Sequence, residues 1–370
     1  MRVLHVSEVT WGGVVSLLRD FTAEQVRRGH TVDLLTPTTF PRIDDAVGRI
    51  DWGIDRRRPA TIPRAMSQVR AAVKRSRPDV VHLHSAFAGL FGRLPATGVG
   101  GVPTVYQPHA WSFDVFDDPR LRWAAQRWEQ LADRRTDALV ANGDDEIAQG
   151  RSIGIRSRGH TLGVPIDLEY FHPIGDESRA AQRRAVGMGT GRSVVCLARL
   201  ARQKGQDLLV SAWEQNPLPN TILWLVGPGD PEPLKALAPT QWGRTVCWMG
   251  EQLDVRPYIW AADVLVLPSR YEGMAVVPAE AMACGTPVVV AAVNGASMAV
   301  DAPPLPPGGT VVPQGDMAAL LRETERLLQD AATRRDMGLA GRARVTSLFS
   351  KSLVVDRLDS AYATAMQGSS

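Results

Sequence analysis

The chain has 370 residues, 44% of them hydrophobic and 22% charged, with a formal net charge of +3. That length is too great for one ordinary domain and suits two of about 170 to 190 residues each, with a real apolar core. So small a net charge excludes any argument for nucleic acid as a partner from charge alone. Lysine occurs only at Lys74, Lys204, Lys235 and Lys351, and arginine carries the rest of the positive charge. With the abundant alanine, this points to a GC-rich bacterial genome. Cys196, Cys247 and Cys284 have neither metal-ligand spacing nor an even count, so they read as small buried residues, not as a disulfide framework. No apolar run approaches the roughly 18 residues a membrane span needs. Met-Arg followed by Val-Leu-His-Val lacks the apolar stretch of a signal peptide, and a cytoplasmic location is expected.

In chain order, Arg2–Ser7 (RVLHVS) predicts a buried strand. Gly12-Gly13 and a helical pattern from Val14 to Arg28 follow, closed by Gly29. Thr31–Thr36 is a second strand, and Ile62–Ser76 is an amphipathic helix ending before Pro78. Asp79–His84 (DVVHLH), Pro103–Gln107 and Ala138–Ala141 are further strands. This β-α-β-α rhythm predicts a parallel sheet with helices on both faces. Gly163–Pro173, rich in Pro and Gly, reads as a linker. The rhythm then restarts with strands at Ser193–Ala198, Thr221–Val226, Thr245–Met249, Val264–Leu267 and Pro287–Ala291. Helices lie at Gln206–Gln215 and Val255–Ala262. The expected fold is α/β, with two doubly wound Rossmann-like domains facing a cleft. The N-terminal domain spans residues 1–163 and the second 164–351, with a final helix at 352–366 packing back on the first. Ligands of such sheets sit beyond the carboxyl ends of the strands.

The densest segment is PSRYEGMAVVPAEAMACGTPVVV, from Pro268 to Val290. Glu272 lies in the loop after a strand, and Gly273 permits an unusual backbone there. Pro278 suits a first helical turn, Glu280 sits near that helix start and Gly285 ends it. A helix N-terminus favours an anionic ligand, while carboxylates beside it suit the hydroxyls of a sugar and a ribose. Helix capping is the plain alternative for an acid in a first turn. A second segment, ARLARQKGQD from Ala198 to Asp207, places Arg199 and Lys204 between a strand and a helix, where both can reach a pyrophosphate.

The Glu-x7-Glu stretch resembles the donor-binding signature of retaining glycosyltransferases of the GT-B fold, family 4. The Arg199/Lys204 pair matches the family's diphosphate-binding pair residue for residue. The resemblance implies hexosyl transfer from a nucleoside diphosphate sugar with retention. Arg199 and Lys204 stabilise the leaving diphosphate and Glu272 holds sugar hydroxyls. Glu280 holds the ribose, Gly273, Met274 and Ala275 offer backbone to sugar and phosphate, and Gln252 meets the base. In the other domain the resemblance brings Gly12 and Gly13 to the donor phosphate and His109 to the transferred sugar. A UDP-sugar is the expected donor, with GDP- or ADP-sugars as alternatives. No other cofactor and no metal site is assigned, since those cations, the glycine backbone and the helix terminus already neutralise the leaving group.

The chain departs from the family in two places, reading Leu162-Gly163-Val164-Pro165-Ile166-Asp167 in the linker and Asn294-Gly295-Ala296-Ser297 near the sugar. His82 and His84 point the same way from one strand, with no third ligand in view. Arg56, Arg57, Arg58, Arg64, Arg70, Lys74, Arg75 and Arg77 form a basic cluster, which reads as a solvated face or as peripheral contact with an anionic membrane carrying a lipid-linked acceptor. Otherwise the acceptor is a glycan or a small molecule. Three rival readings are a nucleotide-sugar 2-epimerase on the same architecture, a nicotinamide-dependent oxidoreductase and a catalytically idle sugar-nucleotide binder. The absence of a G-x-G-x-x-G fingerprint argues against the second.

Overall fold

The structure, a computed structural model, describes residues 1–54, 61–97, 99 and 101–368. It forms two compact units. One comprises Met1–Pro165 with the C-terminal segment from Lys351, and the other Ile166–Ser350.

The first unit contains β1 (Arg2–Ser7), α1 (Gly13–Arg27), β2 (Thr31–Thr36), β3 (Gly48–Asp51), α2 (Ile62–Ser76), β4 (Val80–His84) and α3 (Ser85–Gly92). These are followed by β5 (Thr104–Gln107), α4 (Pro119–Ala132), β6 (Ala138–Ala141), α5 (Asp144–Ser152) and β7 (Arg158–Thr161). Among the described residues its seven strands are all parallel, in the order β3-β2-β1-β4-β5-β6-β7. Alternation along each strand divides the side chains between two cores. Leu4, Val6, Val81, Leu83 and Tyr106 pack with Val69 and Ala72 of α2 and Phe91 of α3. On the other face Val3, Val80, Val105 and Val140 pack with Leu17 and Phe21 of α1 and with Val354, Leu358 and Tyr362 of the C-terminal helix.

The second unit contains α6 (Asp176–Ala185), β8 (Arg192–Leu197), α7 (Gln206–Gln215), β9 (Thr221–Val226), α8 (Glu232–Leu237), β10 (Val246–Trp248), α9 (Arg256–Ala261) and β11 (Val264–Leu267). After these come α10 (Val276–Ala283), β12 (Val288–Ala291), α11 (Ala296–Val300), β13 (Gly309–Val312), α12 (Met317–Gln329) and α13 (Ala331–Phe349). The chain then re-enters the first unit as α14 (Lys351–Gly368). Six parallel strands run β10-β9-β8-β11-β12-β13. Cys196 is fully buried here, and burial pushes its thiol up to about 12, as for a small apolar residue.

Strand order fixes where ligands can bind. β1 lies between β2 and β4, and β8 between β9 and β11. The loops leaving β1 and β4 depart in opposite senses, as do those leaving β8 and β11. In sheets of this kind such a divergence marks the ligand crevice, at the carboxyl ends of the strands. The Ala198–Gly205 and Pro268–Ala275 loops flank the crevice of the second unit.

Three strands escaped the sequence reading: β3 (GRID), β7 (RGHT) and β13 (GTVV). All are sheet edges. Paired on one side only, they carry half-exposed or charged side chains such as Arg49, Asp51 and Arg158, not the apolar run that marks an inner parallel strand.

Candidate active site

In the second unit, β8 delivers the chain to a short 3-10 turn at Arg202–Lys204 and then to Gly205, the N-cap of α7. Gly205 has φ +70, and a Cβ built on it would lie 2.1 Å from the Pro268 carbonyl oxygen. Only glycine allows the loop after β8 to press this closely on the loop after β11. The contact is reinforced by Arg270, whose amide donates to the Gln203 carbonyl at 2.7 Å and whose guanidinium forks onto both Asp207 oxygens at 2.7 Å.

These contacts bring Lys204 and Glu272 together. Lys204 Nζ donates to Glu272 Oε1 at 2.5 Å, and the Ser269 hydroxyl donates to the same oxygen at 2.7 Å. Gln203 Nε2 reaches Glu272 Oε2 at 3.3 Å and the Tyr271 carbonyl at 3.1 Å. Glu272 is buried and Lys204 half-buried. Arg199 is also half-buried. Desolvation lowers its proton affinity, while Tyr271 and Glu272 oppose that electrostatically. Gln206 pins the Arg199 carbonyl at 2.8 Å. Thus one crevice holds two cations, a carboxylate and a hydroxyl.

Gly273 and Met274 are buried behind Glu272, and the loop at Gly295 packs directly on them. A Cβ on Gly295 (φ +74) would meet Met274 Cβ at 2.6 Å and the Gly273 carbonyl at 3.0 Å. Ala275 is the N-cap of α10 and brings no side-chain cap, so the first-turn N–H groups lack that partner. Pro278 is the third residue of α10 and Glu280 the fifth. Glu280 therefore stands beyond the first turn, and helix capping does not account for it. Gln252 is engaged locally, its Nε2 donating to the Met249 carbonyl at 2.7 Å.

In the first unit, Gly12 has φ +80 at the N-cap of α1, with open space where a Cβ would stand, and Gly13 begins the helix. His109 follows β5. It and Ala110 both have positive φ, 56° and 90°, which non-glycine residues adopt at a cost. Glu146 holds this turn: its Oε1 accepts the Ala110 N–H at 2.6 Å, and its carbonyl accepts the Trp111 indole N–H at 2.7 Å.

Residues 191–330 match the family described as Glycosyl transferases group 1, and residues 11–170 match Glycosyltransferase Family 4. The chain is 31% identical over 401 residues to D-inositol 3-phosphate glycosyltransferase 1 of Catenulispora acidiphila, covering 96% of this chain and 93% of that protein. The chain belongs to glycosyltransferase family 4. It is also 33% identical over 205 residues to a GDP-mannose-dependent monoacylated alpha-(1-6)-phosphatidylinositol monomannoside mannosyltransferase of Corynebacterium glutamicum, covering 52% of this chain and 53% of that protein. Among solved structures, sucrose-phosphate synthase from Thermosynechococcus elongatus superposes with a TM-score of 0.84 at 24% identity, covering 98% of each chain. Anabaena HepE in complex with UDP-glucose gives 0.82 at 19%, covering 98% of this chain and 99% of that one. The fold is GT-B, and the chain is a glycosyltransferase.

Several residues around this glycosyltransferase's strand ends went unread in the sequence. Glu8, just after β1, caps α3 by accepting the Phe87 and Ala88 N–H groups at 3.1 and 3.0 Å. Ser269 and Gln203 hold Glu272. His82 and His84 do have a third histidine beside them: His5 pairs in register with His82 across β1 and β4, and the three rings form one buried cluster. The signal was the alternation of β1, which puts His5 on the face opposite Leu4 and Val6. Arg56, Arg57 and Arg58 lie outside the described residues. Arg64, Arg70, Lys74, Arg75 and Arg77 are exposed on or just after α2. Among the described residues no helix is long and apolar enough to cross a membrane.

The clamp on the His109–Ala110 turn has a pH signature. Burial raises Glu146 to about 7, against the Ala110 and Asn142 N–H groups, which lower it. Between about 4.5 and 7 the folded protein keeps this proton and the unfolded chain has lost it. Its contribution to stability therefore falls as pH rises through that window, by on the order of 3 kcal/mol in all. His5, lowered by burial to about 4, acts oppositely and loses stability as pH falls below 6.5. Glu146→Gln keeps an acceptor and removes the titration. Melts from pH 5 to 8 should show the variant gaining on wild type as pH rises, and parallel curves would refute the assignment.

Proposed function

We propose that the chain transfers a hexosyl group from a nucleoside diphosphate sugar to a hydroxyl acceptor, with retention and without a divalent ion. The observation that carries this reading is the meeting of Arg199, Lys204 and Glu272 in the crevice of the second unit. The anomeric carbon–oxygen bond to the β-phosphate breaks, and its electron pair leaves with the diphosphate. The acceptor oxygen bonds the anomeric carbon as its proton passes to the departing phosphate. Arg199 and Lys204 meet the growing charge, where preorganised donors contribute most. The α10 N-terminus and the backbone at Gly12 and Gly13 add N–H groups. Glu272 holds sugar hydroxyls, Glu280 the ribose, Gln252 the base, and His109 the transferred sugar.

UDP-sugars are the first donors to try, with GDP- and ADP-sugars next. HepE was solved with UDP-glucose, and the Corynebacterium relative is named for GDP-mannose. The relatives' named acceptors, D-inositol 3-phosphate and a phosphatidylinositol mannoside, support a phosphorylated or lipid-linked acceptor. The exposed basic residues on and just after α2 would suit either, the second at a membrane surface.

A thermal-shift screen of nucleoside diphosphates names the donor, since a ligand at 100 times its Kd adds about 2.7 kcal/mol of stability. Proton NMR of the first product from an α-linked donor should then show an α-linked sugar, formed equally well in excess EDTA. A β-linked product would refute retention. Loss of activity in EDTA, restored by Mg²⁺ or Mn²⁺, would refute metal independence. Isomerisation of donor without acceptor would indicate an epimerase.

A further inference from the structure

His109 does not stand alone. Its Nε2 lies 3.0 Å from Nδ1 of His84, whose Nε2 lies 2.9 Å from Nδ1 of His5, whose Nε2 lies 2.9 Å from Oε1 of Gln25. The His5–His84 and His84–His109 ring centroids are 5.1 and 5.3 Å apart, at interplanar angles of 30° and 15°. Rings so separated and so nearly parallel in plane, with nitrogens at hydrogen-bond distance, meet edge to edge through one N–H···N bond each. His5, His84 and Gln25, the last on the inner face of α1, are fully buried, and of the row only His109 reaches the surface.

A neutral imidazole has one donor and one acceptor nitrogen, so a chain of them has a direction. The far end sets it. Gln25 Nε2 donates to the Tyr362 hydroxyl at 3.3 Å, which must then donate to His82 Nδ1 at 2.9 Å. In this orientation of the amide Gln25 Oε1 faces His5, which then carries its proton on Nε2 and accepts at Nδ1. His84 likewise carries its proton on Nε2, and so does His109. Burial lowers the proton affinity of every histidine in the row, so none gains a second proton near neutrality and the direction is preserved.

We propose that Gln25, His5 and His84 are positioning residues that hold His109 in one neutral tautomer, Nε2–H inward and the Nδ1 lone pair outward, so that it presents an acceptor to a substrate hydroxyl. The consequence for turnover rests on the assignment of His109 to the transferred sugar. The tautomer itself does not. Were the Gln25 amide reversed, every bond in the row would reverse and His109 would present a donor instead, so a residue three hydrogen bonds from the surface decides the polarity of the one that meets substrate.

Nitrogen-15 histidine labelling with long-range proton–nitrogen correlation reads the tautomer of each ring in the intact protein. Wild type should show Nε2–H at His5, His84 and His109. His84→Leu and Gln25→Leu should shift His109 toward a tautomer mixture and lower kcat by about three- to tenfold, the worth of one hydrogen bond, with little change in donor KM. His84→Asn places an amide oxygen where Nδ1 stood and should restore both tautomer and kcat. An unchanged His109 spectrum in folded His84→Leu and Gln25→Leu would overturn the proposal, as would an Nδ1–H tautomer in wild type. So would stoichiometric zinc uptake that perturbs His5, His82 and His84, which would make the cluster a metal site. If instead the spectra behave as expected but His109→Ala keeps wild-type kcat, the row stands and the sugar assignment of His109 fails.

Discussion

Arg199→Ala and Lys204→Ala are each expected to lower kcat/KM by about a hundredfold or more. On the proposed function the leaving diphosphate gains charge in the transition state, and removing one preorganised donor costs about 2.7–4 kcal/mol. Neither residue belongs to a mobile surface stretch. The Arg199 carbonyl is pinned by Gln206, and Lys204 is seated by a 3-10 turn whose following glycine presses on Pro268. Lys204→Arg should not restore the rate, because the space that admits a single ammonium against Glu272 and Ser269 does not match a planar five-donor fork. Steady-state kinetics with the donor from the thermal-shift screen reads the effect. Wild-type values in either alanine variant would remove the phosphate role and leave a structural loop.

Inner strands and edge strands were not equally legible. Strands buried on both faces, such as RVLHVS and TILWLV, announce themselves as apolar runs because a parallel sheet covered by helices leaves them no polar side. The edges GRID, RGHT and GTVV do not, since their place is decided by the strand they join. Strand, loop and helix punctuation placed the loop residues Arg199, Lys204, Glu272 and Glu280 at strand ends, and the family resemblance singled them out. Their partners could not. The 2.5 Å contact between Lys204 and Glu272 depends on Gly205 lying against Pro268, a proximity across 63 residues of sequence that no local pattern encodes. The histidine row is a stronger case. It draws on α1, β1, β4, the loop after β5 and α14, and only the parallel register of β1 on β4 places His5 beside His82. Sequence spacing gave two histidines facing one way, and it took the sheet order to supply the others.

Lys204 and Glu272 should also behave as one unit. In the free protein Glu272 Oε1 accepts from both Lys204 and Ser269 while the carboxylate is almost wholly buried. Lys204→Met removes the one cation in direct contact with that charge and leaves it Ser269, Gln203 and the field of Arg199, and a loss of about 1–3 kcal/mol of stability is expected. This is less than for a fully buried pair, because the lysine remains about one-fifth exposed. Glu272→Gln removes the carboxylate that holds the ammonium in place and, on the proposed function, the acceptor for the sugar hydroxyls. Each single variant should lower kcat/KM by about a hundredfold. If the two acted independently, the double variant would fall by the product, about ten-thousandfold. Because each change already disables the other residue, the double variant should lie within about tenfold of the worse single one. Its melting temperature should exceed that of Lys204→Met, since the buried carboxylate is no longer left without its ammonium. Recovery of stability without non-additivity in rate would make the pair a structural contact only. Multiplying rate effects with no recovery of stability would mean that Lys204 and Glu272 meet the donor separately and that their contact is incidental to both.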